Sequence, residues 1–194
     1  MTETWFTSDT HFGHKKILEY EKEARPFETV EEMNEHLITA WNETVNPKDI
    51  VFHLGDFAFG AVNVAIADRL NGHKRLIMGN HDCHSFDLYV RHFQRLFGAH
   101  YWKRCILTHI PVHPRNLGNR FFLNVHGHLH SMSVGSFKLT KEEKERLWCD
   151  PESVSASIMK PREDLNYFNV AVERHNLRPV HSSIIMDRLK EIDE

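Results

Sequence analysis

Arg75-Leu76-Ile77-Met78-Gly79-Asn80-His81-Asp82 decides how this chain is read. The first four residues form a short apolar run, set off by a turn at Asn71-Gly72, which is the pattern of a buried strand. The run stops at Gly79, and three polar residues follow at once. Working outward, the same arrangement recurs. Thr4–Ser8 is rich in β-branched and aromatic residues and reads as a strand, and Asp9-Thr10-His11-Phe12-Gly13-His14 leaves its end. Asp49–Leu54 runs into Gly55-Asp56. Arg104–Thr108 ends at His109, and Phe121–Val125 ends at His126-Gly127-His128-Leu129-His130. Each apolar strand therefore delivers a potential metal ligand at its C-terminal end. In open α/β sheets, ligands collect outside the carboxyl ends of the strands, so these ends can build a polynuclear metal site without long loops.

The segments between the strands read as helices and turns. Thr29 and Glu32 have capping-box spacing. Val30, Met33, Leu37, Trp41 and Val45 then recur at intervals of three and four, one apolar face of a helix that Asn46-Pro47 ends. A short helix is expected near Lys15–Tyr20. Ala61–Leu70 and Phe86–Leu96 read as helical, Tyr167–Val172 as a returning strand and Ser183–Ile192 as a closing helix. Residues 136–165 are charged and less periodic, and Lys141–Leu147 is expected to be a helix on an excursion from the core. No internal repeat, low-complexity tract or linker interrupts the chain, so its 194 residues are expected to form one domain. A chain this long buries roughly 70% of its unfolded surface.

The formal net charge is -3, which offers no general attraction to nucleic acid or anionic membranes. Cys83, Cys105 and Cys149 show no metal-type spacing and read as free thiols in a reducing compartment. The N-terminus has no basic segment followed by an apolar one. No apolar run reaches the length needed to cross a membrane. A cytoplasmic protein is expected. Histidine is the outlier, with 16 residues against 3 Cys, 6 Met and 4 Trp, and neutral imidazole is the commonest metal ligand.

Taken singly, each strand-end group has an ordinary explanation, since Asp in a turn commonly serves the turn itself. Their joint occurrence, in this order and each at a strand end, does not. The series Asp9-x-His11, Gly55-Asp56, Gly79-Asn80-His81-Asp82, His109 and Gly127-His128-x-His130 resembles the calcineurin-like metallophosphoesterase superfamily over roughly residues 4–130. The opening Thr7-Ser8-Asp9-Thr10-His11-Phe12-Gly13-His14 and the short length are similar to small bacterial and phage members. The resemblance implies an α/β fold, a four-layer α-β-β-α sandwich of two mixed sheets flanked by helices. It also implies that Asp9, His11 and His130 hold one metal, that Asn80, His109 and His128 hold a second, and that Asp56 bridges the two. After Gly55-Asp56 comes Phe57-Ala58-Phe59-Gly60, without the Asp-Arg of protein serine/threonine phosphatases, and the third block ends in Asp82 rather than Glu. Both departures count against a phosphoprotein phosphatase.

The chemistry suits these residues. Two cations about 3.5–4 Å apart clamp the attacking and leaving oxygens of a phosphate ester. Water on such a cation becomes hydroxide near neutral pH and can attack phosphorus. The two oxygens of a carboxylate such as Asp56 can bridge the cations. Mixed imidazole and carboxylate ligands suit Mn, Fe, Zn or Ni better than Mg or Ca, and Mn²⁺ is favoured. His81, left over beside Asn80, is suited to touch a phosphate oxygen or protonate the leaving group, with Asp82 expected to fix its tautomer. His53 and His126 are expected to pack. His14, His113, Arg115 and Arg120 are weaker candidates for substrate contact.

The expected activity is hydrolysis of a phosphodiester or phosphomonoester, of a nucleotide or another small molecule. A nuclease would want a basic stripe or an aromatic-lined channel, and no Lys/Arg cluster is present. A non-catalytic scaffold would be expected to have lost ligands, and every ligand block is intact.

Overall fold

The computed structural model describes residues 2–136 and 162–193. Its strands, in chain order, are β1 (Thr4–Thr7), β2 (Ile50–His53), β3 (His73–Ile77), β4 (Arg95–Phe97), β5 (His100–Trp102), β6 (Cys105–Leu107), β7 (Leu123–His126), β8 (Gly135–Ser136), β9 (Arg162–Glu163), β10 (Tyr167–Asn169) and β11 (Val180–His181). The helices are α1 (Ile17–Tyr20), α2 (Val30–Thr44), α3 (Phe86–Tyr89) and α4 (Ser182–Asp193). One sheet runs β11-β1-β2-β3-β4 and a second β10-β7-β6-β5, while β8 and β9 form a separate pair. In the first sheet β1, β2, β3 and β4 are parallel and β11 is antiparallel to β1. In the second, β10, β7 and β6 are parallel and β5 is antiparallel. Both sheets are mixed, and helices flank them.

Alternation along β1, β2 and β3 builds two cores, because successive side chains point to opposite faces. Phe6, Phe52 and Ile77 face the second sheet, where Cys105, Leu107, Leu123 and Val125 meet them and Ile185 and Leu189 of α4 join. Phe6 stacks on Phe52 at 5.6 Å and meets Trp102 edge-on at 4.9 Å, pairs worth about 0.5–1.5 kcal/mol each beyond their burial. Val51 and Leu76 face the other way, onto Met33, Leu37 and Trp41 of α2.

The helix α2 starts where its cap predicts. Thr29 Oγ1 accepts the Glu32 amide at 3.2 Å, and the Glu32 carboxylate reaches back to the Glu28 amide at 3.1 Å, one residue beyond the usual capping box. Val30, Met33, Leu37, Ile38, Ala40 and Trp41 are buried. The larger of these contribute on the order of 1.5–3 kcal/mol each by leaving water.

Several expectations are corrected. Phe86–Leu96 is helical only over Phe86–Tyr89, and Arg95–Phe97 is an edge strand instead. The open edge of β3 decides this: Lys74 O accepts from Gln94 N at 2.9 Å, and Phe97 O accepts from Met78 N at 2.8 Å. A neighbouring strand outweighs local preference. Ala61–Arg69 is a 3₁₀ helix. The strand begun at Tyr167 ends at Asn169, and Val172–Arg174 forms a 3₁₀ turn. The strands at His100–Trp102 and Val180–His181 are too short to show periodicity. The helix expected over 141–147 lies outside the described residues.

His53 and His126 are packing residues, as expected, and both are fully buried. The hydroxyl of Thr10 donates to Phe57 O at 2.8 Å, so it accepts from His53 Nε2 at 3.0 Å, which places the single proton of a neutral ring on Nε2. Burial pushes the His53 pKa down to about 3 and that of His126 to about 4. The unfolded chain binds these protons near pH 6.5. The stability from keeping each ring neutral is therefore complete above about pH 6.5 and is lost as the pH falls toward the folded value, at up to about 1.4 kcal/mol per pH unit for each ring. The urea midpoint of metal-free protein should fall between pH 7 and pH 4.5, and His53→Asn should flatten that decline. An equally steep profile in the variant would contradict the neutral burial of His53.

Candidate dinuclear metal centre

The loops that leave the strand ends are zipped together by backbone hydrogen bonds. Asp9 N donates to Gly55 O at 2.9 Å, His11 N to Asp56 O at 3.1 Å and Phe12 N to Phe57 O at 3.0 Å. The loop after β1 is thereby laid along the loop after β2. Gly127 N donates to His109 O at 3.0 Å, and His128 N donates to both oxygens of Asp9 at 3.0 and 3.1 Å. Residues from opposite halves of the chain meet at one rim.

Two clusters result. Asp9, His11 and His130 converge in one, and Asp56, His109 and His128 in the other, each with its ligand atoms within 4.8 Å of one another. Oδ2 of Asp56 lies 3.6 Å from His11 Nε2 and 3.3 Å from His109 Nε2, so it faces both clusters. Its Oδ1 accepts the amide of His81 at 2.9 Å. One oxygen, not two, is placed between the clusters. Asn80 Oδ1 sits 2.9 Å from His109 Nε2 and joins the second cluster.

The donor atoms ask for cations. His109 Nδ1 faces the carbonyl of Leu54 at 2.7 Å and must carry a proton, because a carbonyl only accepts. Its Nε2 faces the oxygens of Asn80 and Asp56, both acceptors, so a second proton or a cation has to sit between them. Both ring nitrogens of His11 are buried with no hydrogen-bond partner among the described residues, an expensive state for polar atoms unless something else satisfies them. Burial drives the His11 pKa down to about 2, which keeps its lone pair free. Burial also pushes Asp9 up to about 6, the mark of a carboxylate short of positive charge. Asp56 is also buried, yet its pKa is lowered, because hydrogen bonding and positive charge from His109 outweigh the burial. These residues fit a pair of metal ions.

Backbone strain falls at the same place. Eight non-glycine residues among those described have positive φ, and five are candidate ligands: Asp9 at 56°, His11 at 48°, Asp56 at 57°, His128 at 70° and His130 at 48°. Left-handed backbone costs such residues on the order of 1–3 kcal/mol each and gathers at functional sites. Two glycines explain themselves by close approach. A Cβ on Gly79 would fall into the Asp56 carboxylate, and one on Gly127 would fall into that of Asp9.

Asp82 is corrected. Its carboxylate does not serve His81. It accepts from Asp56 N at 2.8 Å, Gly79 N at 2.9 Å and Phe57 N at 3.0 Å, and so fastens the loop after β3 to the loop after β2. His81 lies outside both clusters. Its half-exposed ring has Nε2 4.0 Å from Asp56 Oδ2. Of the weaker candidates, His14 is near the site, with its ring 5.2 Å from that of His11. His113 instead accepts from the Arg115 amide in a local turn, and Arg120 lies over Tyr101 and Phe121.

Sequence reasoning missed Arg25 and Glu173. Arg25 is completely buried. Its guanidinium donates to the carbonyls of Asp9 and Thr10, and to Glu173 Oε1 at 2.8 and 2.6 Å. The same Oε1 lies 2.9 Å from His130 Nδ1, which donates to it, leaving Nε2 free for a metal. The pKa of His130 is raised, because the bond and charge of Glu173 overcome burial. In sequence, Arg25 stands beside Pro26 in a charged stretch and Glu173 beside Arg174, so both look like surface residues.

Comparisons with known proteins agree with this geometry. A crystal structure of a protein of unknown function from Aquifex aeolicus matches with a TM-score of 0.64 at 24% identity, covering 96% of this chain and 99% of that one, which shows the fold. An uncharacterized protein of Methanocaldococcus jannaschii is 28% identical over 195 residues, 98% of this chain and 93% of its own length. The gene 66 protein of Mycobacterium phage L5 is 41% identical over 122 residues, 59% of this chain and 54% of its own. The sequence profile of the calcineurin-like phosphoesterases matches residues 3–180, and the chain belongs to that family.

Proposed function

We propose that this chain hydrolyses phosphate esters of small molecules, with nucleotides the favoured class, at a pair of divalent metal ions held by Asp9, His11, His130, Asp56, Asn80, His109 and His128. The observation that carries this reading is the shared position of Asp56 Oδ2 between two convergent ligand clusters. When bound, the two cations would neutralise charge on the phosphate and supply an attacking oxygen near neutral pH. The mixture of imidazole, carboxylate and amide donors favours Mn²⁺, with Fe, Zn and Ni as alternatives, over Mg²⁺ and Ca²⁺.

The chain's own residues do the rest. Asp56, whose Oδ2 faces both clusters, would help to hold both metals, while the His81 amide holds its Oδ1. Glu173 orients His130 and Leu54 O orients His109, each by accepting a hydrogen bond from Nδ1. His81 is the group free to act on substrate, because its ring is not committed to either cluster and is open to solvent on one side. It would donate a proton or a hydrogen bond to the ester oxygen as the bond to phosphorus breaks. Asp82 works through the loop and not on the ring. The net charge of -3 favours a small substrate over a nucleic-acid polymer. No helix among the described residues is long and apolar enough to cross a membrane. That fits the cytoplasmic setting we propose.

Protein stripped by chelator should be inactive and should recover with Mn²⁺. Asp56→Ala should lose both turnover and metal, measured by elemental analysis. Full activity in a metal-free sample would end this reading. His81→Ala should keep its metals and lose roughly 100-fold or more in turnover. The loss should be largest for alkyl esters and smallest for nitrophenyl esters, since a poor leaving group needs the proton most. An equal loss across leaving groups would remove the acid role. Glu173→Gln keeps an acceptor for His130 but strips the charge that pairs with Arg25. It should weaken metal binding about 10- to 100-fold and destabilise the fold by about 3–5 kcal/mol. Unchanged calorimetric affinity and urea midpoint would refute the positioning role.

A further inference from the structure

A phosphate ester covers more surface than its phosphate, and the ligand clusters account for the phosphate alone. Beside them stands a group of aromatic rings that metal binding leaves unused. The His14 ring stacks on Phe59 with centroids 4.5 Å apart and planes 14° from parallel. Tyr20 meets His14 edge-on at 6.5 Å. The group begins where the metal ligands stop: His14 lies 5.2 Å from His11, and Phe59 lies 6.4 Å from His81.

These rings face solvent. Phe59 is 48% exposed and Tyr20 67% exposed. Phe59 is nonetheless held firmly. Its amide donates to Phe12 O at 2.8 Å, its carbonyl accepts from Asn63 Nδ2 at 2.7 Å, and an isolated parallel bridge joins Phe12 to Ala58 just before it. A large apolar ring on a tethered backbone, half out of the protein, and next to the group that would act on the ester oxygen has the properties of a stacking surface.

We propose that Phe59 and His14, with Tyr20 at the outer end, form a platform that stacks the nucleobase of a nucleotide substrate while its phosphate occupies the ligand clusters. This inference rests on the phosphoesterase reading and assigns the place where a nucleotide's base would be recognised. His14 already covers one face of Phe59, so the ring has one face left to offer, enough for a single base. A nucleic-acid strand would ask for a series of such faces along a cationic track.

The test uses Mn²⁺-loaded protein and phosphonate isosteres, which cannot be hydrolysed, of adenosine 5′-monophosphate and ribose 5-phosphate. The second carries a hydroxyl at the anomeric carbon where the first carries the base. By calorimetry the adenosine compound should bind on the order of 10-fold more tightly. Phe59→Ala should bring the two within about twofold, and Phe59→Trp should keep the preference. Phe59 is half-exposed, so the alanine variant is expected to fold. Equal affinities in the parent, or a preference that survives Phe59→Ala, would overturn the platform. Inorganic phosphate, titrated in parallel, separates that result from a deeper failure. If phosphate binds only with metal present, the phosphoesterase reading stands without the platform. If neither phosphate nor either isostere binds to the loaded protein, both readings fall.

Discussion

The site depends on buried carboxylates that accept backbone amides from loops other than their own. Asp82, after β3, takes the amides of Asp56 and Phe57 after β2, and Asp56 returns the bond by taking the amide of His81. Asp9, after β1, takes the amide of His128 after β7. A hydrogen bond to a charged group contributes about 1.5–3 kcal/mol. That is comparable to the roughly 1–3 kcal/mol by which a left-handed non-glycine residue is disfavoured. The strained ligands Asp9, His11, Asp56, His128 and His130 are held in these conformations because the loops around them are cross-tied. Without Asp82, the loops after β2 and β3 would lose two of their shared bonds, and the loop after β3 would lose its own tie to Gly79 N.

The same burial that orders the loops sets the electrostatics. Burial raises Asp9 and Asp82 and lowers His11 and His128, which disfavours charge on all four. His109 and His130 go the other way, since neighbouring carboxylates outweigh their burial. A metal taken up by these nitrogens and carboxylates would have to displace any protons they carry. Affinity should therefore weaken in acid, when protons compete for the same lone pairs.

Arg25 and Glu173 form a second support behind the first cluster. A buried ion pair is not by itself a stability device, because desolvation offsets much of the attraction. This pair does more than attract. Arg25 also binds the carbonyls of Asp9 and Thr10, and Glu173 also binds His130. The pair therefore ties the loop after β1 to a ligand from the loop after β7. Its two members stand 148 residues apart in the chain, a separation no local pattern spans.

The sequence by itself determined the parts whose cause is local. Apolar runs interrupted by Asp, Asn and His marked the strand ends, alternation placed His53 and His126 in the core, and the capping residues of α2 located its start. The resemblance added which of those strand-end groups gather into each cluster. Only the tertiary structure decided the rest. It turned Arg95–Phe97 into a strand because β3 had an open edge. It turned Asp82 away from His81 because three backbone amides, invisible in the sequence, converged on its carboxylate. It buried Arg25 with Glu173, two residues that read as surface. Periodicity and residue type record what a segment needs from its immediate neighbours. Which distant backbone group meets which side chain depends on how the sheets pack, and one chain's sequence does not print that.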